Sequence, residues 1–267
     1  MILDKTFDFL KTSHKSLIDE LTIDEFRCGT HMSAVKLSDN SYGVVSTLLD
    51  EGHQCVKGVR DFGDFTPAKI SGQPVLNLLE TKKSSGLIST LKVAVLNAIS
   101  STIISKGEYK VIENADPIDM IDLNSNKNIT MVGAFNTYIR RIPAETNNLQ
   151  VLELNESALA QGFEKYYVPA DEYKNVLPKS DIVIITGLTL VNSTIDNLLN
   201  AISPGTQVIV TGPSSSLVPD ILFQNKVNII GSTRIVNPEL LFQLISEMGK
   251  PFHIFKYCAQ KICIMNE

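Results

Sequence analysis

Short runs rich in Val and Ile in the second half of the chain constrain the fold most strongly. They begin at residue 129 and read ITMVG, LQVLEL, DIVIITG, TQVIVTG and VNIIGS, with helical patterns between most of them. Strands that are apolar on both faces and alternate with helices are typical of a parallel sheet covered on both sides. This part of the sequence therefore predicts an α/β fold, and HIFKYCAQKICI near the end is a candidate for one more strand or hairpin.

The first 105 residues show a different pattern. DEFRCGTHMSAVKL and YGVVSTLL are joined by the turn-forming SDNS and predict a β-hairpin. Residues 87–104 are apolar on nearly every side, so we expect a buried helix with Asn97 as its polar exception. We therefore expect an α+β domain over residues 1–105 and an α/β domain over residues 106–267, joined by a polar connector.

The connector between the two predicted domains contains Asp116, Asp119 and Asp122. Their spacing of three would place the carboxylates on one side of a short helix. Such a cluster can bind a cation, but we interpret it as a solvated surface face. Arg140 and Arg141, which close a predicted helix farther along, are likewise interpreted as a solvated pair.

Size, charge and composition limit the classes of function. The 267 residues suffice for two domains, and 43% hydrophobic with 20% charged residues is ordinary for a globular protein. The net charge of -5 and the lack of a long Lys/Arg run argue against nucleic-acid binding. No secretory signal is recognisable, and no run approaches the roughly 18 apolar residues of a membrane helix. We expect a cytoplasmic protein with reduced cysteines that binds neither nucleic acid nor membrane; homo-oligomerisation stays open.

Three of the predicted strands end in glycine: Gly133, Gly187 and Gly212. Ligands of parallel sheets bind at the carboxyl ends of the strands, where the strand order reverses, so we expect the three glycines to line one shared crevice. Polar residues follow two of them at predicted helix starts: Asn192, Ser193 and Thr194 in one case, and Ser214, Ser215 and Ser216 after Pro213 in the other. Such groups either cap a helix or bind an anion, and the residues alone do not separate the two roles.

Glu153 ends the second predicted strand of the sheet, 20 residues after Gly133. In dinucleotide-binding folds an acid at this distance contacts the ribose. VGAFNT has a single glycine in place of G-x-G-x-x-G, so bound NAD is poorly supported, although we expect Glu153 to face the crevice. One alternative function is therefore a nucleotide- or nucleoside-dependent enzyme that uses Glu153 on a ribose. No G-x-S-x-G, H-E-x-x-H or Walker lysine motif occurs, so the sequence identifies no catalytic residue and leaves enzymatic activity open.

Four residues in the first part of the chain are candidates for direct metal ligands: Cys28, His31, His53 and Cys55. Imidazole and thiolate suit zinc and softer ions. Cys28 and His31 lie three residues apart on one predicted strand, so their side chains would point to opposite faces. A site shared by all four would need an irregular hairpin. Direct metal-ion binding is therefore a second alternative function. The competing interpretation is that these four residues have ordinary packing and surface roles.

The segments TGLTLVNSTIDNLL and VTGPSSSLVPDILF resemble a known family of bacterial and archaeal proteins, the "putative heavy-metal chelation" family. The matching positions are Thr186, Gly187, Leu190, Val191, Asn192 and Thr194, then Gly212, Pro213 and Ser214, then Gly231, with Glu153 in VLEL. LKVAVLNAIS, which contains Asn97, resembles the signature helix of the family's companion domain, which is similar to the small capping domain of enolase. The resemblance implies an enolase-N-terminal-like α+β domain beside a Rossmann-like α/β domain, with a pocket between them. It does not imply enolase activity.

The leading hypothesis rests on the three strands that end in glycine and on this resemblance. We predict a protein that binds a small polar, anionic or metal-chelating ligand in an interdomain cleft, in heavy-metal or metal-cofactor metabolism. The predicted ligand-binding residues are Asn97, Gly133, Glu153, Gly187, Asn192, Thr194, Gly212, Pro213 and Ser214. The cofactor candidates are a metal ion and a metal-containing small molecule. Because Gly, Asn, Thr and Ser are poor ligands for soft metals, we expect the small molecule rather than the bare ion.

Overall fold

Two sheets organise the part of the chain that the structure, a computed structural model, describes: residues 1–48, 62–123 and 125–266. The smaller sheet is an antiparallel meander of β1 (Ile23–Cys28), β2 (Met32–Leu37) and β3 (Tyr42–Ser46). Helices α1 (Ile2–Ser13) and α2 (Lys15–Ile18) precede it, and α3 (Val75–Glu80) and α4 (Gly86–Ile104) follow it.

The sequence predicted a two-stranded hairpin here, whereas the structure has three strands. DEFRCGTHMSAVKL forms two strands, because the chain turns at Gly29, whose N–H donates to the carbonyl oxygen of Met32 at 3.0 Å. A Cβ atom on Gly29 would lie 2.5 Å from the carbonyl oxygen of Ile245, so this turn passes too close to neighbouring backbone for a side chain. The glycine therefore marks a turn inside the stretch that we interpreted as one strand.

The larger sheet has eight strands in the described part of the chain, in the order β4-β11-β10-β9-β8-β5-β6-β7. The strands are β4 (Val111–Glu113), β5 (Asn128–Val132), β6 (Asn148–Glu153), β7 (Tyr167–Pro169), β8 (Ile182–Thr186), β9 (Gln207–Thr211), β10 (Val227–Ile235) and β11 (Ala259–Met265). β5 to β10 are parallel, while β11 is antiparallel to both β10 and β4. The predicted α/β fold class, with a smaller α+β part, is confirmed.

The connections of the larger sheet contain short helices. They are α5 (Asn136–Ile139), α6 (Tyr173–Val176), α7 (Leu188–Val191), α8 (Ile195–Ala201), α9 (Asp220–Gln224), α10 (Pro238–Ser246) and α11 (Pro251–Tyr257). Single 3-10 turns add Gly63–Phe65, Pro117–Met120, Glu156–Ala158, Glu164–Tyr166, Ala170–Glu172, Leu177–Lys179 and Pro213–Ser215. HIFKYCAQKICI thus contains the end of α11 followed by β11, and the predicted connector contributes β4, which pairs with β11. The connector interpretation was therefore wrong for residues 111–113.

Both faces of the larger sheet are buried, as continuous apolar strands require. Along β8, Val183 and Ile185 belong to a core shared with α1 and α4, whereas Ile182 and Ile184 face a second core on the other side. The smaller sheet is also covered twice. α4 packs on one of its faces, and residues of α10 and α11 pack against Met32, Ala34 and Val44 on the other.

Helix α4 is the buried helix that the sequence predicts. It is long and apolar enough to cross a membrane by length and composition, contrary to our expectation for the chain, but 72% of its apolar window is buried inside the protein. Its contacts with β2 and β3 make it a core helix of this fold.

Candidate functional site

The strand order of the larger sheet reverses between β5 and β8. From β5 the chain adds β6 and β7 on one side and then returns to add β8, β9 and β10 on the other. Gly133, Gly187 and Gly212 directly follow β5, β8 and β9, which are adjacent and parallel, so the three glycines lie at the same edge of the sheet. Ligands of parallel sheets bind at this position.

Two cavities open at this edge, rather than the one crevice that we expected. The inter-sheet cavity, of about 510 Å³, lies beside Gly187 and Gly212 and reaches Ser46 of the smaller sheet. The switch-point cavity, of about 340 Å³, lies beside Gly133. Thr186 and Leu188 line both cavities, so they stand between the two spaces.

The floor of the inter-sheet cavity is a close contact between two strand ends. A Cβ atom on Gly187 would lie 2.8 Å from the backbone nitrogen of Ser215, and Gly212 has a φ of 120°, which favours glycine. Ser215 donates its hydroxyl to the carbonyl oxygens of Gly212 and Gly231, both at 2.6 Å. The glycines therefore allow a tight turn at Pro213, and Ser215 fixes it.

Two predicted site residues connect this turn to the smaller sheet. The hydroxyl of Ser214 accepts the N–H of Ser46 at 2.9 Å. The amide nitrogen of Asn97 donates to the carbonyl oxygens of Val44 at 2.9 Å and Pro213 at 3.3 Å. Ser214 lines the inter-sheet cavity, whereas Asn97, which is 1% exposed, lines neither cavity and supports the turn from behind.

A cluster around Asp116, which was not predicted from the sequence, borders the inter-sheet cavity through Tyr138 and Lys261. The Asp116 carboxylate accepts hydrogen bonds from the Tyr138 hydroxyl and the Lys261 ammonium, and the Asp116 side chain is only 15% exposed. The interpretation of Asp116 as a solvated surface residue was therefore wrong. Asp119, in contrast, pairs with Arg141, and both side chains are exposed.

Tyr138 stays protonated in this environment. Burial raises the pKa of its phenol, and the hydrogen bond to Asp116 raises that pKa further, whereas a hydrogen bond with Thr211 opposes the shift. The phenol proton is therefore held between Tyr138 and Asp116. An Asp before a Pro signals a turn in the sequence, but nothing local shows that its partners lie 22 and 145 residues away.

The charged side chains among the described residues that line the inter-sheet cavity are Lys256 and Lys261. Lys256 lies on α11 beside Phe252 and Phe255, which also line the cavity, and its Nζ is 5.0 Å from the ring centre of Tyr257. Phe252 is 69% exposed at this wall. The cavity therefore combines two ammonium groups with aromatic walls and a floor of hydroxyls.

Four of the predicted site residues line the switch-point cavity: Gly133, Glu153, Asn192 and Thr194. The Glu153 carboxylate accepts the backbone N–H groups of Ala134 at 3.0 Å and Leu154 at 2.7 Å. Glu153 thus lines the switch-point cavity and occupies an N–H group of the loop after Gly133. In dinucleotide-binding folds this loop holds the pyrophosphate.

Asn192 ends helix α7, and Thr194 directly precedes the first residue of α8. Its carboxamide oxygen accepts the N–H of Thr194 at 3.2 Å and the hydroxyl of Thr194 at 2.7 Å, and Ser193 between them has a φ of 61°. The Thr194 side chain makes no capping hydrogen bond to the helix. Asn192 therefore supports the turn between α7 and α8 without capping α8, and its amide N–H groups are directed away from this turn.

A family model with the description "Putative heavy-metal chelation" matches residues 116–264, and a second model with the same description matches residues 12–100. The chain belongs to this family. An uncharacterised protein of Methanocaldococcus jannaschii is 29% identical over 253 residues, which cover 91% of this chain and 90% of that protein. The two matched ranges fall inside the predicted domains 1–105 and 106–267, and the independence of these domains stays a prediction.

Two solved structures of family members share the fold. A protein of unknown function from Pyrococcus horikoshii has a TM-score of 0.78 at 22% identity, with 100% of both chains covered. One from Desulfitobacterium hafniense has a TM-score of 0.70 at 19% identity, with 97% of this chain and 100% of that chain covered. At this level of identity the similarity establishes the architecture.

The family description implies a metal, and an ion bound by the chain itself needs a group of donor side chains. Within the described ranges, no three His, Cys, Asp or Glu side chains form a group that could hold an ion. Cys28 and His31 flank the β1–β2 turn and are exposed, while His53 and Cys55 lie outside the described residues. The described lining of the inter-sheet cavity offers hydroxyl, backbone and ammonium groups, which do not fit a bare soft metal ion.

Proposed function

We propose that the protein binds a small anionic organic molecule with an apolar part in the inter-sheet cavity. The observation that carries the proposal is the pair Lys256 and Lys261, which are the charged side chains of the described cavity lining. The cavity volume of about 510 Å³ is in the range of small-molecule sites. The described lining contributes two positive charges and no carboxylate, because Asp116, which pairs with Lys261, does not itself line the cavity.

Each kind of lining residue has a separate role in this proposal. The ammonium groups attract the negative charge, most strongly where the ligand displaces water. Phe135, Phe252 and Phe255 cover the apolar part of the ligand. Asp116 fixes Lys261 through an ion pair and accepts the hydroxyl proton of Tyr138, so Tyr138 contributes a neutral side chain to the lining.

A metal enters this proposal as part of the ligand. Because the cavity lining lacks soft donors among the described residues, the protein would recognise the organic shell of a chelate, whose carboxylates face the lysines. This assignment agrees with the family description and does not require a metal site built from the chain.

Pyridine-2,6-dicarboxylate, an aromatic dianion that chelates divalent metals, is a suitable probe. Isothermal titration calorimetry would measure its binding alone and as the Ni²⁺ complex. We expect Lys256→Met and Lys261→Met each to weaken binding by about tenfold, because each removes one charged hydrogen-bond donor. Lys165→Met is the matched control, since Lys165 lies 4.9 Å from the ring centre of Tyr166 and lines neither cavity.

The proposal fails if both lysine variants bind the probe as tightly as the control does. It also fails if Ni²⁺ alone binds with unit stoichiometry and Cys28→Ser with His31→Ala abolishes that binding. The second result would favour a metal site in the smaller sheet.

A further inference from the structure

The switch-point cavity lies outside the site proposed above and has a different chemistry. Its charged lining residues are Glu153 and Asp171, and no Lys or Arg is among the described residues that line it. A phosphate group would meet two like charges there. The cavity therefore selects against phosphorylated ligands and for neutral or cationic ones.

Most of the lining is apolar. Val132, Leu152, Leu188 and Leu198 come from four different elements and enclose the cavity. Leu154 also lines it and is 81% exposed, an unusual position for a large apolar side chain beside a cavity. A flat apolar ring bound here would cover Leu154.

Polar groups suited to a heterocycle lie at one side of this apolar space. The backbone N–H of Thr194 can only donate, so the Asn192 carboxamide must direct its oxygen toward Thr194 and its N–H groups away. Those N–H groups can donate to a ring nitrogen of a ligand. Asn197, exposed on the following helix α8, offers a second carboxamide.

Glu153 can accept further hydrogen bonds. Each carboxylate oxygen takes one backbone N–H, from Ala134 or Leu154, and a carboxylate has about four acceptor positions. The remaining positions suit vicinal hydroxyl groups of a ribose. The Ala134 N–H, in contrast, is already occupied by Glu153 and is not available to a phosphate.

We infer that the switch-point cavity binds a purine nucleoside without a phosphate group. The base lies in the apolar space with its ring nitrogens at Asn192, and the ribose hydroxyls donate to Glu153. This ligand class follows from the absence of cations in the described lining together with the acid at the end of β6.

Calorimetric titration with adenosine, 2′,3′-dideoxyadenosine and AMP tests this inference. We expect dideoxyadenosine and AMP to bind about tenfold more weakly than adenosine. Dideoxyadenosine lacks the hydroxyl groups that donate hydrogen bonds to Glu153, and the phosphate of AMP is repelled by the carboxylates. Glu153→Gln should weaken the binding of adenosine by about tenfold and leave the binding of dideoxyadenosine unchanged. Glu164→Gln is the matched control, because Glu164 also accepts a backbone N–H, that of Gly162 at 2.7 Å, and lines neither cavity.

A second variant covers the case in which Glu153→Gln does not fold. Asp171→Asn removes one negative charge from an exposed residue and should strengthen AMP binding by about threefold. No adenosine binding at millimolar concentration, or AMP binding tighter than adenosine, would overturn the inference. Adenosine affinity that Lys261→Met reduces and Glu153→Gln does not would move the nucleoside to the inter-sheet cavity and overturn it as well.

Discussion

At the scale of single residues, Asp116 and Cys263 connect segments that are distant in the sequence through hydrogen bonds. Asp116 joins Tyr138 of α5 to Lys261 of β11, and the thiol of Cys263 donates to the carbonyl oxygen of Ala115 at 3.4 Å. Glu153 and Asn192 were predicted as ligand-binding residues from the sequence because they follow or end apolar runs, and this role stays a prediction. The Asp116 cluster was not, because its partners meet only after the sheet has formed.

Because two thiols are buried, we expect the folded protein to lose stability at alkaline pH. Burial raises the pKa of Cys258 from 9.0 to about 11 and that of Cys263 from 9.0 to about 12. Below pH 9 both thiols are protonated in the folded and the unfolded chain, so their full contribution is present. Above it only the unfolded chain ionises, and the free energy of unfolding falls by about 1.4 kcal/mol per pH unit for each thiol.

Urea unfolding between pH 8 and about pH 10.5 measures this slope. Cys258→Ala and Cys263→Ala should each make the slope shallower by about 1.4 kcal/mol per pH unit. Cys28→Ala is the control, because that side chain is exposed. Equal slopes in all three variants would contradict the burial argument.

At the scale of elements, close backbone contact between β3 and α4 holds the smaller sheet against this helix. A Cβ atom on Gly43 would lie 2.0 Å from the carbonyl oxygen of Ala94 and 2.7 Å from the nitrogen of Ala98. The helix α4 was predicted correctly because it is apolar on all sides. The third strand and β4 were not, since the Gly29 turn and the pairing of β4 with β11 depend on tertiary contacts.

Gly43→Ala should therefore lower the free energy of unfolding by about 3 kcal/mol, because backbone must move to admit the methyl group. Gly162→Ala should cost about 1 kcal/mol, since that glycine has a φ of 90° but open space around it. Chemical denaturation of the two variants gives the comparison. A cost for Gly43→Ala no greater than that for Gly162→Ala would show that β3 and α4 are less closely packed than described.

At the scale of the whole molecule, the two predicted domains share a core. One continuous cluster contains Leu10 of α1, Leu91 of α4, and Val183 and Val210 of the larger sheet. Hydrogen bonds also cross between the two parts, among them the Val218 N–H to the Ser100 hydroxyl at 2.9 Å. The sequence predicted two domains, but it contained no measure of the surface that the two parts share.

We expect this shared core to make unfolding cooperative over the whole chain. Differential scanning calorimetry should show one transition, and residues 1–105 produced alone should show none, because α4 would expose its apolar side. Two separate transitions, or a cooperatively folded fragment 1–105, would instead establish two independent domains.

We propose that Lys256 and Lys261 bind an anionic ligand in the inter-sheet cavity. A crystal soaked with 4-bromopyridine-2,6-dicarboxylate tests it directly, because the anomalous signal of bromine locates the ligand. We expect the bromine peak inside the inter-sheet cavity, with the carboxylates at the two lysines, and its loss in the Lys256→Met, Lys261→Met double variant. A peak in the switch-point cavity or at the β1–β2 turn, or one that persists in the double variant, would contradict the claim.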